Sequence, residues 1–160
     1  MRLSDIICEV PAADLDAFQA LGSTIGGKII YPGNKVDNKP TINVSRGFNS
    51  RIVDRFDLTL ECIRRFYLGE QSPLFNDLGR YSDFFNLFGN FQGYVDFFLL
   101  QDLLDGDRIK FFMPFTSVFD SARPRSLYEY REYMANTMDF VSKRNQRINI
   151  WFLQNPTGNM

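Results

Sequence analysis

Histidine is absent from the 160 residues. That gap removes imidazole general bases, histidine-containing triads and imidazole metal sites from the chemistry open to the chain. Cysteine is nearly absent: Cys8 and Cys62 are far apart, which is neither a disulfide framework nor a zinc ligand set. Two reduced thiols in a cytosolic setting are the expectation. Charge of one sign is also missing. The formal net charge is −1, so no excess of Lys and Arg exists to grip a phosphate backbone. No run approaches the length of a membrane span; the longest apolar stretch, 95–104, is broken by Asp96, Gln101 and Asp102. The first residues, MRLSDIICEVPAADL, lack the apolar core of a secretory signal. No glycine-rich phosphate loop or dinucleotide turn is present, and no metal or other cofactor is expected.

Aromatics are abundant instead, with 17 Phe and seven Tyr against ordinary shares of apolar (44%) and charged (23%) residues. Such a chain is long enough to bury a sizeable core and is not disordered. One domain is expected over residues 1–150, followed by a polar, frayed tail over 151–160.

Hydrophobic spacing and turn residues give a mostly helical α+β pattern, with five or six helices around a sheet of two or three short strands. A helix opens at Pro11 and Asp14 and stops at Gly22. Short strands are expected at 28–31, 41–44 and 108–113, the last closed by Pro114. The strongest helical pattern covers 51–68. Ser72-Pro73 starts another helix, residues 94–104 read as a central helix, and Asp105-Gly106-Asp107 reads as a turn. Ser126 and Glu129 have capping-box spacing ahead of a long terminal helix.

Two stretches, TINVSRGFNSRIVDRFDLTLECIRRFYLGEQSPL and RYSDFFNLFGNFQGYVDFFLLQDLL, resemble a bacterial family of unknown function. The resemblance runs over about residues 17–149 and carries no assigned activity. It implies that longer members have a further N-terminal region, which would make this chain a short or truncated member. Relatives more often have Gly-Ala where Val44-Ser45 stands here.

The densest polar region is PTINVSRGFNSRIVDRFDLTLECIRR, residues 40–65, with five arginines and three carboxylates. On a helical projection Asp54, Asp57 and Glu61 share a narrow face with Arg64 and Arg65. Three carboxylates there would suit Mg²⁺ or a general base; a solvated face with a Glu61–Arg65 pair is the simpler expectation. Thr41, Asn43, Arg46 and Asn49 lie between an expected strand and an expected helix, where phosphate groups often dock; helix capping and turn bonds are the alternative. Arg55 falls inside the apolar arc and Asp96 inside that of helix 94–104. A buried Arg55–Asp96 pair is therefore expected, and it could line a ligand pocket. The local basic clusters are Arg123 with Arg125, and Lys143, Arg144 and Arg147, read as a solvated helix end. Leu3, Ile6, Ile7 and Val10 form an apolar face that a second copy or a protein partner would cover.

Three function classes follow. The first is an interaction or accessory protein without catalysis, favoured by the missing nucleophile–base pair. The second is a nucleotide- or phosphate-ligand-binding protein or enzyme using residues 41–65, favoured if a pocket joins 41–49 to the acidic face. The third is a nucleic-acid binder, disfavoured by the charge balance.

Overall fold

The computed structural model describes residues 2–113 and 117–156. Among them are eight α-helices and one two-stranded antiparallel sheet, with 58% of the chain helical. In order these are α1 (Leu3–Cys8), α2 (Ala12–Gly22), α3 (Ile42–Phe48), α4 (Phe56–Tyr67), α5 (Phe75–Gly79), α6 (Ser82–Asn86), α7 (Phe91–Phe98), β1 (Leu104–Asp105), β2 (Arg108–Ile109) and α8 (Leu127–Gln154). The sequence pattern therefore undercounts the helices, while the mostly helical architecture with a small sheet stands.

Helix α4 is the centre. Every residue from Asp57 to Ile63 is buried, so the helix is enclosed on all sides rather than along one stripe. It packs on α5, α7 and β2. Phe66 and Tyr67 join the aromatic cluster of Phe85, Phe88, Tyr94 and Phe98, where neighbouring rings lie 4.7–6.3 Å apart. At the other end Phe56 meets Phe140 of α8 at 5.2 Å. Helix α8 in turn carries α1, α2 and the short 3₁₀ turn Ile25–Gly27.

Several local expectations are corrected. Residues 41–44 do not form a strand: Thr41 accepts the Val44 N–H (3.4 Å) as the N-cap of α3, and Ile42 and Arg46, four residues apart, are both buried. Residues 28–31 are extended but pair with no strand, because the guanidinium of Arg144 binds the carbonyls of Gly26 (3.0 Å) and Lys28 (2.5 Å). The helix expected from residue 51 starts at Phe56. Val53 and Asp54 sit at φ +52° and +60°, the left-handed region that a β-branched residue strongly disfavours. The helix expected from Ser72 divides into α5 and α6 around Gly79, a poor helix former. The central helix starts earlier, where Asn90 caps Gly93 (2.9 Å), and stops at Leu99, φ +55°. The strand expected over 108–113 shortens to Arg108–Ile109, opposite Leu104 and Asp105 across the Gly106 turn. Pro114 and residues 115 and 116 lie outside the described residues. Ser126 caps α8 by accepting the Glu129 N–H (3.2 Å), and α8 is helical through Gln154, beyond the expected start of the tail.

Candidate functional site

The acidic face of α4 is not a wet face. Asp57 is 0% exposed and Glu61 3%, whereas Asp54, in the turn before the helix, has a side chain 70% exposed. The buried polar side chains Asp57, Thr59 and Glu61 of α4 are each matched to an arginine. Asp57 accepts two bonds from Arg55 (Nε 3.0 Å, Nη2 2.5 Å) and one from the Phe112 N–H (2.8 Å). Thr59 accepts from Arg46 Nε (3.0 Å) and donates to the Arg55 carbonyl (2.7 Å). Glu61 takes both Arg64 (2.8 and 3.0 Å) and Arg65 (2.7 Å), so the expected Glu61–Arg65 contact is present, though buried on the acid side. Among the described residues no three Cys, Asp or Glu side chains converge as a metal site.

Arg55 is buried and bound to a carboxylate and a carbonyl, but its partner is not Asp96. It is the N-cap of α4 and turns back onto Asp57, with the Ala122 carbonyl at 3.1 Å and the Tyr133 ring 5.5 Å from its Cζ. Asp96 is exposed on α7 and accepts from Gln92 (2.8 Å) and Gln101 (3.1 Å). The error is one of helix phase: the left-handed turn at Val53 and Asp54 takes Arg55 out of the helix, and α7 ends before the stretch used to orient Asp96.

A cavity of about 440 Å³ opens between α2, α3 and α8. Its mouth is polar: Lys28 from the extended segment, Asn43 and Arg46 from α3, and Asp54 from the strained turn. Aromatic and aliphatic side chains line it too, Phe18 of α2, Phe56 of α4, Phe112, and Tyr133, Phe140 and Val141 of α8, although the accessible lining is more polar than apolar. Gly27 lines it, and Gly26 precedes Gly27 in the same tight turn. A Cβ on Gly26 would lie 2.6 Å from Asn145 Oδ1 and from the Val141 carbonyl oxygen, and one on Gly27 would lie 2.4 Å from the Gly22 carbonyl oxygen. Only glycine lets this turn sit so close to both α8 and α2. Arg46 is held rigidly: besides Thr59 it binds Asp54 Oδ1 (2.6 Å) and the Asp54 carbonyl (2.8 Å), and its Cζ lies 5.9 Å from the Tyr31 ring. Burial pushes the hydroxyls of Tyr31 and Tyr133 up to about 12, so both are neutral donors near neutral pH.

Of the residues singled out from the sequence, the cavity joins Asn43, Arg46 and Asp54. Thr41 is a cap. Asn49 serves the chain, with its Oδ1 accepting the Arg51 N–H (2.9 Å) and its amide facing the Pro73 carbonyl (3.4 Å). Arg55 lies behind the wall and Asp96 is remote. Lys28 and the aromatic walls were not singled out; the Gly26-Gly27 pair was the local signal of a close approach there. Arg144 is also misplaced by the sequence reading. It is buried, donates to the carbonyls of Phe98 (3.0 Å), Gly26 and Lys28, and lies 5.6 Å from the Phe56 ring. Its neighbours Lys143 and Arg147 are paired with Asp139 and Asp102, so no continuous basic face forms there. Of the N-terminal apolar residues, Ile6 and Val10 are buried within the chain, where α1 packs on α8, while Leu3 and Ile7 are half-buried.

The fold and the cavity define a mostly helical protein with an aromatic-walled pocket and a charged rim. The chain belongs to the family of unknown function DUF6994, whose model matches residues 1–148. No curated protein and no solved structure matches it. No helix among the described residues is long and apolar enough to cross a membrane.

Proposed function

We propose that the protein is a single small-molecule-binding domain over residues 1–150 that acts through occupancy of the cavity between α2, α3 and α8. The carrying observation is that one cavity joins Asn43 and Arg46 of α3 to Asp54 and opens onto aromatic walls. Ligand sites are usually concave and bring aromatic side chains together with convergent polar groups, and both are present here. The strained turn at Val53 and Asp54 supports the same reading, because such geometry persists only where the surroundings enforce it. Binding is favoured over catalysis by the wall chemistry. The Thr137 hydroxyl is committed to the Tyr133 carbonyl (2.6 Å), and Asp54 to Arg46. A cytosolic setting with Cys8 and Cys62 reduced belongs to this reading; the two thiols are unbonded, one exposed and one buried.

The test is a fragment screen by thermal shift, run in parallel on the wild type and Gly22→Phe. Gly22 lines the cavity and a Cβ there meets nothing within 4 Å, so a side chain can start from this backbone, and a circular dichroism spectrum matching the wild type checks that the variant is folded. A fragment at 100 times its dissociation constant adds about 2.7 kcal/mol, or roughly 5–10 °C for a chain of this size. Hits lost in the variant support the proposal; an empty screen, or hits indifferent to the variant, refutes it.

A second reading, a protein-interaction domain, is favoured by a groove lined by Ile30, Phe84, Leu87, Phe88, Phe97 and Phe98, where Ile30, Leu87 and Phe97 are exposed. A second copy is the proposed occupant, because the exposed apolar end of α8, Ile150 to Leu153, offers a complementary element. Sedimentation at rising concentration tests it: a strict monomer, or self-association unchanged by Phe97→Asp, refutes it.

A further inference from the structure

We infer that the ligand of this cavity is a small organic anion: a flat or branched apolar body carrying a single carboxylate or phosphate-monoester head, seated at Lys28 and Arg46. The inference rests on the cavity being a ligand site and adds the chemical class.

The charges around the cavity carry it. Lys28 and Arg46 both line the cavity, and Arg144 lies beside it, bound to the Lys28 carbonyl and close to the Phe56 ring. One carboxylate, Asp54, answers these three cations, and it is paired with Arg46 at 2.6 Å. Two positive charges remain without a carboxylate partner among the described residues, Lys28 and the buried Arg144. Arg144 donates only to carbonyl oxygens, which orient its charge without neutralising it. The nearby Arg55–Asp57 pair is internally balanced. A chain of net charge −1 thus carries a local excess of positive charge around this cavity, and a concavity whose charge is of one sign concentrates ions of the other.

Donors are available for the head. A guanidinium has five N–H donors. Among the described residues Arg46 commits three of them, to Thr59 Oγ1, Asp54 Oδ1 and the Asp54 carbonyl. The Lys28 ammonium is exposed and in no ion pair among the described residues. The body is set by the aromatic lining residues Phe18, Phe56 and Phe140, and about 440 Å³ accommodates one substituted ring with its head group.

The experiment titrates four matched probes into the protein by calorimetry: phenylacetate, phenyl phosphate, the neutral phenylethanol, and inorganic phosphate. Each is measured on the wild type, Lys28→Gln and Gly22→Phe. Lys28 is exposed, so its substitution leaves the fold intact. The expected result is that both organic anions bind about tenfold or more tightly than phenylethanol and inorganic phosphate. Lys28→Gln should remove most of that difference, and Gly22→Phe should abolish binding. The tighter of the two anions identifies the head. Phenylethanol binding as tightly as the anions, with Gly22→Phe abolishing all three, overturns the anionic head and leaves the ligand-binding reading standing. Inorganic phosphate matching phenyl phosphate and ignoring Gly22→Phe overturns the apolar body. Failure of all four probes overturns the class, and overturns the ligand-binding reading too only if the fragment screen is also empty.

Discussion

Asp57→Ala is the most informative single change to the fold. The Asp57 carboxylate is fully buried and accepts three hydrogen bonds, two from Arg55 and one from the Phe112 backbone. Truncation removes the carboxylate that balances the Arg55 guanidinium, itself 3% exposed. Breaking one side of a buried pair costs about 3–5 kcal/mol. The orphaned Phe112 N–H adds to this, though the terms are not additive because both arise from one cavity. A fall of about 3–5 kcal/mol corresponds to roughly 10 °C in melting temperature. Urea unfolding followed by circular dichroism reads it directly. Two companions sharpen the test. Asp96→Ala, at an exposed site bonded to two glutamines, should fall within about 0.5 kcal/mol of wild type. Replacing both partners, Arg55→Met with Asp57→Leu, should recover much of the loss, since an apolar pair strands no charge. An Asp57→Ala cost below about 1 kcal/mol, or an Asp96→Ala cost as large as that of Asp57→Ala, would refute the pairing.

Gly26→Ala should destabilise by about 1–3 kcal/mol, because the new methyl is driven against Asn145 and the Val141 carbonyl; thermal melts compared with a Gly22→Ala control check this. In the native protein one thiol, Cys8, should react readily with a disulfide reagent while Cys62 waits for unfolding, since burial pushes its thiol up to about 11. Two equally fast thiols would contradict the buried position. Hydrogen bonding from Arg147 holds the Asp102 carboxyl below its ordinary 3.8. A carboxyl depressed in the folded state contributes stability that is present above pH 3.8 and is lost as pH falls below it, through the folded value. Arg147→Ala should flatten this acid limb, by less than about 1 kcal/mol because the pair lies at the surface; urea midpoints on either side of pH 3.8 report it.

How far the sequence carried depended on whether a feature was local. The Ser126 cap, the Gly106 turn, the stop of α2 at Gly22 and the long α8 were legible because each rests on residues within one turn of each other. The strong apolar pattern located α4, although its spacing did not show that α4, rather than the stretch 94–104, is the centre. What could not be read was its entry. Val53 and Asp54 are both left-handed without being glycine, a conformation imposed by tertiary contacts, among them Arg46 gripping the Asp54 carbonyl. A projection that ran the helix through those residues put Arg55 against the wrong carboxylate. The same projection put Asp57 and Glu61 in water, because it cannot tell a solvated charge from one paired inside. At the cavity, Asn43 and Arg46 were legible as a polar cluster beside a turn. Lys28 and Arg144 were not, because they meet across 116 residues of chain through a backbone carbonyl, which leaves no mark on side-chain periodicity.

The most direct test of the central claim is amide chemical-shift mapping on isotopically labelled protein during titration with phenylacetate. The account predicts saturable shifts concentrated at Gly22, Gly27, Lys28, Asn43, Arg46 and Thr137, the rim and walls of the cavity, and their loss in Gly22→Phe. Shifts confined to the apolar groove around Ile30, Leu87 and Phe97, or shifts at the cavity that persist in Gly22→Phe, would contradict it.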